Sequence, residues 1–339
     1  LRINVNDTTS TSSVYIGMFR RIYGTVKNVS LINTSVSVSG NTSFYVGTLA
    51  GEILKTARIS NCKVYATSGT CSVSVTGTSK TVVVGGLVGY IQGGTIEKSR
   101  FTGKVHTSTN GSCEAGGLVG RNTSGKINRS WTSGNLDINS TGSTSDFDVG
   151  GLVGRNVYNS STGGHPEIIN CYSTSTVFID CTGQNSYVYA GGLVGVLKDS
   201  KVNYCYATGK VTGKNKYGRA IAGGLAADIE DCVSSGFVVN VFSVGDVYAR
   251  GNYSGAESSS SFFGHFCGAE KNNAFLNIYY NKEAKFKDGK TGKEVTWNNS
   301  WYNGKTVAQL KSSSFQINEL QLDTTVWNIV NGSYPTLKQ

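Results

Sequence analysis

Three histidines, eight cysteines and 21 carboxylates are the residues of this 339-residue chain that could do chemistry. His106, His165 and His265 are far apart, and none neighbours a Ser or Cys in a nucleophile–base arrangement. His165 stands before Pro166 in a polar insertion and reads as solvated. His265 takes the place of a glycine in a recurring phrase, so it reads as a packed or turn histidine. Among the carboxylates, Asp146 and Asp148 share one face if their segment is extended, and Asp228, Glu230 and Asp231 are close in sequence. A glycosidase needs two carboxyl groups at a set separation across a sugar, and a lyase needs a base beside a charge-neutralising partner. No such constellation is visible, so no catalytic residue is assigned and the chain reads as a non-enzyme.

The cysteines follow a phase. Cys62, Cys171, Cys205 and Cys232 occupy one place in a repeating unit where other units carry Val29, Ser99 and Ser130. That phase favours a ladder of small buried side chains over disulfides between units, because strands in register rarely orient Cβ atoms for a bridge. Cys71, Cys113 and Cys181 lie near loops, Cys267 lies in the last glycine phrase, and a Cys62–Cys71 bridge stays open. No Cys-x-x-Cys pair occurs, and the calcium pattern Gly-Gly-x-Gly-x-Asp is absent, so no metal or cofactor site is expected. Binding residues stay open.

Charge and composition narrow the partners. The net charge of +10 is dispersed, with no basic run of the kind a nucleic-acid groove concentrates, so no nucleic-acid partner is expected. No run of 18 apolar residues could span a membrane and no signal peptide is visible, so no direct membrane insertion of this segment is expected. The chain begins at Leu1 and enters the repeat almost at once, which reads as a processed chain or a piece of a longer one. Asn28, Asn33, Asn41, Asn122 and Asn159 head Asn-x-Ser/Thr sequons, which matter only in a eukaryotic secretory setting.

What positions these residues is a repeat. Gly85-Gly86-Leu87-Val88-Gly89 recurs as Gly116-Gly117-Leu118-Val119-Gly120, Gly150-Gly151-Leu152-Val153-Gly154, Gly191-Gly192-Leu193-Val194-Gly195 and Gly223-Gly224-Leu225-Ala226. Weaker copies place Met18, Leu49 and Phe266 in the same phase. From Met18 to Phe266 the marks are separated by 31, 38, 31, 34, 41, 32 and 41 residues. A floor near 31 with insertions above it is the mark of a stacked repeat. Each unit then offers a second short strand, such as Ile96-Glu97-Lys98-Ser99 or Ile229-Glu230-Asp231-Cys232, and a third, such as Thr102-Gly103-Lys104-Val105 or Ser235-Gly236-Phe237-Val238. Forty-four glycines, two prolines and few long helical stretches agree with turns and strands.

Three short strands per lap predict an all-β, right-handed parallel β-helix of about eight coils, roughly 38 Å long at the strand spacing. Residues 1–280 form the repeats and 281–339 a C-terminal loop and cap. In that cap Thr306 should open a short helix over Val307, Ala308, Gln309 and Leu310, after a polar loop at 282–299. Leu320, Leu322, Val326, Trp327, Ile329, Tyr334 and Leu337 should cover the open end of the last coil. The insertions at 139–148, 157–166, 177–190 and 238–263 should be rim loops, where binding concentrates in repeat scaffolds.

The run Gly-Gly-Leu-Val-Gly followed by Ile-x-x-Ser/Cys-Tyr-x-Thr-Gly-x-Val, clearest between Ala190 and Val211, resembles the GLUG motif of large bacterial surface proteins. Those include filamentous-haemagglutinin-like adhesins and the non-catalytic stalks of IgA-specific metallopeptidases. The resemblance implies an extracellular cell-surface module, often adhesive, that engages a host or neighbouring-cell protein or glycan through its loops. It carries no catalytic residue here, since the peptidases' His-Glu-x-x-His run is missing. A structural spacer or filament subunit associating through coil ends is the alternative, and a carbohydrate-active enzyme the third reading.

Overall fold

The leucines of the recurring phrase stack directly on one another. In the computed structural model Leu49 N–H donates to Leu87 O, Leu87 to Leu118, Leu118 to Leu152, Leu152 to Leu193, Leu193 to Leu225 and Leu225 to Phe266, at 2.7 to 3.0 Å. All seven side chains are buried. The structure describes every residue except 78–79, 162, 233–237, 253–260, 272, 274, 289–301 and 339, and the side chains of 261–263, 270, 286 and 288. Met18 has the same phase but is 48 % exposed, with a described coil on one side of it only.

The chain winds as a parallel β-solenoid of about eight turns. A turn carries five strand positions, two more than the sequence suggests. In one turn they are Ser72–Thr76, Val82–Gly85, Val88–Gln92, Thr95–Glu97 and the start of Arg100–Thr109. Each pairs in parallel with its counterpart one lap on, as Ile96 does with Ile127 and Val73 with Val105. The strand holding the end of the phrase forms its own eight-stranded sheet, and the other positions join a 28-stranded one. Interior columns follow, among them Ile59, Ile96, Ile127, Ile168 and Val202, all fully buried. Stacking like on like removes apolar surface that no single coil could hide.

The glycines are a steric requirement of this winding. A Cβ on Gly117 would lie 2.2 Å from Gly151 O of the next coil, and one on Gly120 would lie 2.7 Å from Val84 N of the preceding coil. The bend within the phrase folds two strands face to face, leaving no room for a side chain at either point.

Several expectations are corrected. Residues 177–190 are not a rim loop: Thr176–Gly191 is one strand, and its alternating Val177, Ile179, Cys181, Val188 and Ala190 stay in the core, with the extra length absorbed by irregular pairing between Cys181 and Tyr187. Residues 139–148 loop only over 141–145, between the strands Trp131–Ser140 and Asp146–Gly150, and Val238–Ser243 and Val247–Arg250 are strands within 238–263, part of which lies outside the described residues. Among the described residues only 157–166 loops out at length, with Tyr158 stacked 4.8 Å from His165. Ile229-Glu230 closes the strand Ala226–Glu230 and is not a separate second strand; Ser235, Gly236 and Phe237 lie outside the described residues. Pairing also continues past 280, because Phe286–Asp288 pairs with Val247–Arg250 and Asn303–Lys305 with Phe275–Asn281; the rest of the expected 282–299 loop lies largely outside the described residues.

The apolar set from Leu320 to Leu337 lies along the flank and not over the open end of the last coil. Thr306 caps the helix Val307–Leu310 in a reciprocal capping box with Gln309, as the sequence suggests. The tail then turns back along the flank and closes with the antiparallel pair Trp327–Asn328 and Thr336–Leu337. The cause is an outward column that changes character along the rod: Ser30, Lys63 and Arg100, then Trp131, Tyr172, Tyr206, Phe242 and Tyr279. The aromatic part needs cover, and Leu310, Phe315, Leu320, Leu322, Val326 and Trp327 provide it. Tyr206 donates its hydroxyl to Pro335 O at 2.5 Å, and Trp327 Nε1 donates to Asn170 Oδ1 at 3.3 Å. Over the last core layer lies Tyr302, 5.2 Å from Phe266.

Candidate functional site

The acidic residues sit in a crease where the strand before the bend faces the strand after it. Glu114 is bound by Arg121, Asp148 Oδ2 lies 2.6 Å from Arg155 Nη1, and Glu52 Oε2 lies 2.6 Å from Arg21 Nε. Burial pushes Asp148 up to about 7 and Asp228 up to about 6, with the Arg155 guanidinium opposing the rise in both. Burial likewise raises Asp146, and Tyr189 lies beside all three. Glu230 and Asp231 are drawn away to Lys198, at 2.7 and 3.5 Å. The deep carboxylates Glu52, Glu114 and Asp148 are thus each matched to a guanidinium, an arrangement that holds two strands together. Its sequence signal is an acid just before Gly-Gly and an arginine just after the phrase, seven residues apart in Glu114/Arg121 and Asp148/Arg155.

The three histidines are not brought together. His106 faces Asp137 at 3.5 Å, His165 faces Asp199 at 3.0 Å, and His265 stacks on Tyr280 at 4.3 Å, with burial lowering it to about 4. All eight cysteines are free thiols. Cys62, Cys171 and Cys205 do share a column with Ser99 and Ser130. Each donates to the carbonyl two residues back in its own coil, and Ser99, Ser130 and Cys205 accept an amide N–H from Cys62, Ser99 and Cys171 of the preceding turn. Serine and cysteine are interchangeable there because both are small and can donate and accept at once. Cys232 belongs elsewhere: its thiol donates to Ser200 O, and Val241 takes the place it was expected to fill. Among the described residues no three His, Cys, Asp or Glu side chains are grouped to hold a metal. Of the sequons, Asn122 is fully buried, bonded through Nδ2 to Asn156 Oδ1 at 2.7 Å.

A different site emerges on the flank, just beyond the reach of the tail. Each turn there passes a corner in the left-handed conformation, held by Asn28, Asn61, Lys98, Arg129, Asn170, Tyr204, Asn240 and Asn277 at φ of 48° to 59°. Next to the corners runs the outward column of Lys63, Arg100 and Trp131. A groove of about 340 Å³ lies between them, with Leu337 and Lys338 as its end wall. Lys63, Lys98, Arg100, Arg129 and Lys338 line it, and among the described residues no acidic side chain joins its walls. The nearest carboxylates are engaged: Glu97 accepts from Ser60 at 3.0 Å, and Asp323 is held low chiefly by Thr325, with Arg129 and Lys338 adding to the effect. Arg100 is fixed between two rings, its Cζ 5.7 Å from Tyr65 and 5.2 Å from Trp131. These cations are scattered over 276 positions of sequence (338 − 63 + 1), which is why they read as dispersed surface charge. A second hollow of about 410 Å³, with Lys210, Lys214, Lys285 and Lys287, differs in having Asp246 in its wall.

No curated protein matches the chain significantly. The GLUG motif matches at residues 81–105, 145–177 and 186–212, each spanning a glycine phrase or the strands flanking one. The chain carries a GLUG-repeat region, wound as stacked turns of a parallel β-solenoid.

Proposed function

We propose that this chain is an extracellular, cell-surface adhesive module that binds a glycan or protein of a host or neighbouring cell, and that contact is made on the flank of the rod. The observation that carries this reading is the groove in which five cations meet with no acid among its described walls. Like charge concentrated at one spot is a standing electrostatic cost in a folded chain and fits an external anionic partner. The GLUG repeats support the surface role. The crease supports binding rather than catalysis as the reading, since Glu52, Glu114 and Asp148 already have guanidinium partners there. Among the described residues no helix is long and apolar enough to cross a membrane.

Capture of intact host and bacterial cells by the immobilised chain tests the reading, with Arg129→Gln as comparison. Cell capture that falls in the variant supports it, and indifference of every cell type contradicts it. The continuous interior ladder of about eight turns also suits a spacer or filament subunit joined through coil ends. Light scattering over a concentration series separates that role, through growth in mass, from a monomeric binder.

A further inference from the structure

The geometry points to a linear glycan bearing carboxylate groups as the ligand of the flank groove, gripped by Lys98 and Arg129 at two corners and by Arg100 on the adjoining column. This rests on the groove being the binding site proposed above.

The first argument is conformational. Of the eight left-handed corners, five hold Asn: Asn28, Asn61, Asn170, Asn240 and Asn277. Asparagine tolerates that conformation, and here its carboxamides also link turns, Asn61 Nδ2 to Asn28 Oδ1 at 2.8 Å and Asn277 Nδ2 to Asn240 Oδ1 at 2.7 Å. Lys98 and Arg129 have φ of 48°, where a long side chain is strained and no carboxamide can make the link. Of the three corners without Asn, Tyr204 packs against the cluster that the tail covers, while Lys98 and Arg129 occupy consecutive turns and both line the groove. Strain retained at one place while a better residue is used at most equivalent places marks a functional position.

The second argument is the form of the cations. Arg100 and Arg129 each bury an Nε with no hydrogen-bond partner, and neither forms an ion pair among the described residues. Sandwiched between Tyr65 and Trp131, the Arg100 guanidinium is a pre-set planar fork, the geometry that pairs bidentately with a carboxylate. Trp131 is here a positioning residue: Tyr172 covers one of its faces at 5.5 Å and Arg100 approaches the other, so no sugar can stack on it.

The third is spacing. Lys63 and Arg100 are register partners in successive turns, as are the corners Lys98 and Arg129, so the cations repeat at the coil height of about 4.8 Å. A hexopyranose advances a glycan chain by about one coil height, so one sugar lies opposite each turn, and carboxylates that change side from one sugar to the next can meet the corner row and the column row. An extended acidic peptide advances ~3.3 Å per residue and falls out of step with the turns.

Titration calorimetry of the full chain with oligogalacturonate tests the assignment, beside neutral dextran, dextran sulfate and oligo-dT. Binding should favour oligogalacturonate and weaken with salt. Lys98→Asn and Arg129→Asn should each weaken it about tenfold. The double variant should also melt about 1–4 °C higher, because Asn relieves the corner, so a folding failure cannot imitate the loss. Lys214→Asn with Lys287→Asn, on the other hollow, should leave affinity within about twofold. Equal loss in that control, unchanged affinity in the corner variant, a lower melting temperature for it, or tighter binding of dextran sulfate or oligo-dT would each overturn the proposal. Cell capture that persists without any oligogalacturonate binding would remove this ligand while leaving the surface-binding role in place.

Discussion

Leu152→Ala should cost several kcal/mol, whereas Met18→Ala, at the same place in the repeated phrase, should cost little. Leu152 is fully buried, its amide donates to Leu193 O at 2.8 Å, and Leu118 donates to its carbonyl at 2.9 Å, so a ladder leucine lies on either side. Truncation removes three carbon groups worth about 0.8 kcal/mol each. The neighbouring coils are held by their own backbone ladders and cannot collapse inward, so a cavity of ~60 Å³ adds ~1.5 kcal/mol. The sum is about 4 kcal/mol. Met18 is 48 % exposed, so its truncation loses about half a transfer contribution, leaves no enclosed cavity and should cost about 1 kcal/mol. Urea unfolding followed by far-ultraviolet circular dichroism gives both values at common slope. Losses that agree within about 1 kcal/mol would refute the claim that the phrase lines the interior from Leu49 onward.

Glycines should divide in the same manner. Gly151→Ala would drive a Cβ to 2.1 Å from Gly192 O and should prevent native folding or cost more than about 3 kcal/mol, whereas Gly24→Ala meets nothing within 4 Å and should be neutral or slightly stabilising, as melting temperatures will show. Asp148 should make stability fall as pH rises from about 4 to 7, because the folded state holds its proton up to about 7 while the unfolded chain releases it near the ordinary value of 3.8. The melting temperature of the natural chain relative to Asp148→Asn should therefore drop across that window, and a constant difference would contradict the burial argument. With all eight thiols free and seven buried, a thiol reagent should modify at most Cys267 quickly in the native protein and all eight after unfolding; a mass short by two protons per pair would reveal disulfides instead.

The interior columns were legible because Leu and Val recur at a spacing that only stacking explains. The number of strands per turn was not, since the corners between them are single residues such as Lys98 and Arg129 that carry no turn signature. Residues 177–190 looked like an insertion by length, yet the alternation of Val177, Ile179 and Cys181, then Val188 and Ala190, already had the period of a strand. The course of the tail was also written in the chain: Ser130-Trp131, Cys171-Tyr172 and Cys205-Tyr206 repeat an aromatic after each small residue, and one outward aromatic per turn makes a stripe that must be covered. The ion pairs of the crease could have been found from their seven-residue spacing. The flank groove could not, because Lys63, Arg100, Arg129 and Lys338 become neighbours only when the coils are stacked and the tail folds back over them.

That stacking is open to one direct measurement. Lys27 and Leu276, 249 positions apart, are the ends of an unbroken register column through Ser60, Glu97, Asn128, Ile169, Asn203 and Val239. Both ends are exposed. Spin labels placed there through non-cysteine chemistry, read by pulsed electron resonance, should give one narrow distribution centred near ~34 Å, the height of seven coil steps. A broad distribution, or a separation outside about 25–45 Å once label length is allowed for, would contradict the solenoid and dissolve the groove built on it.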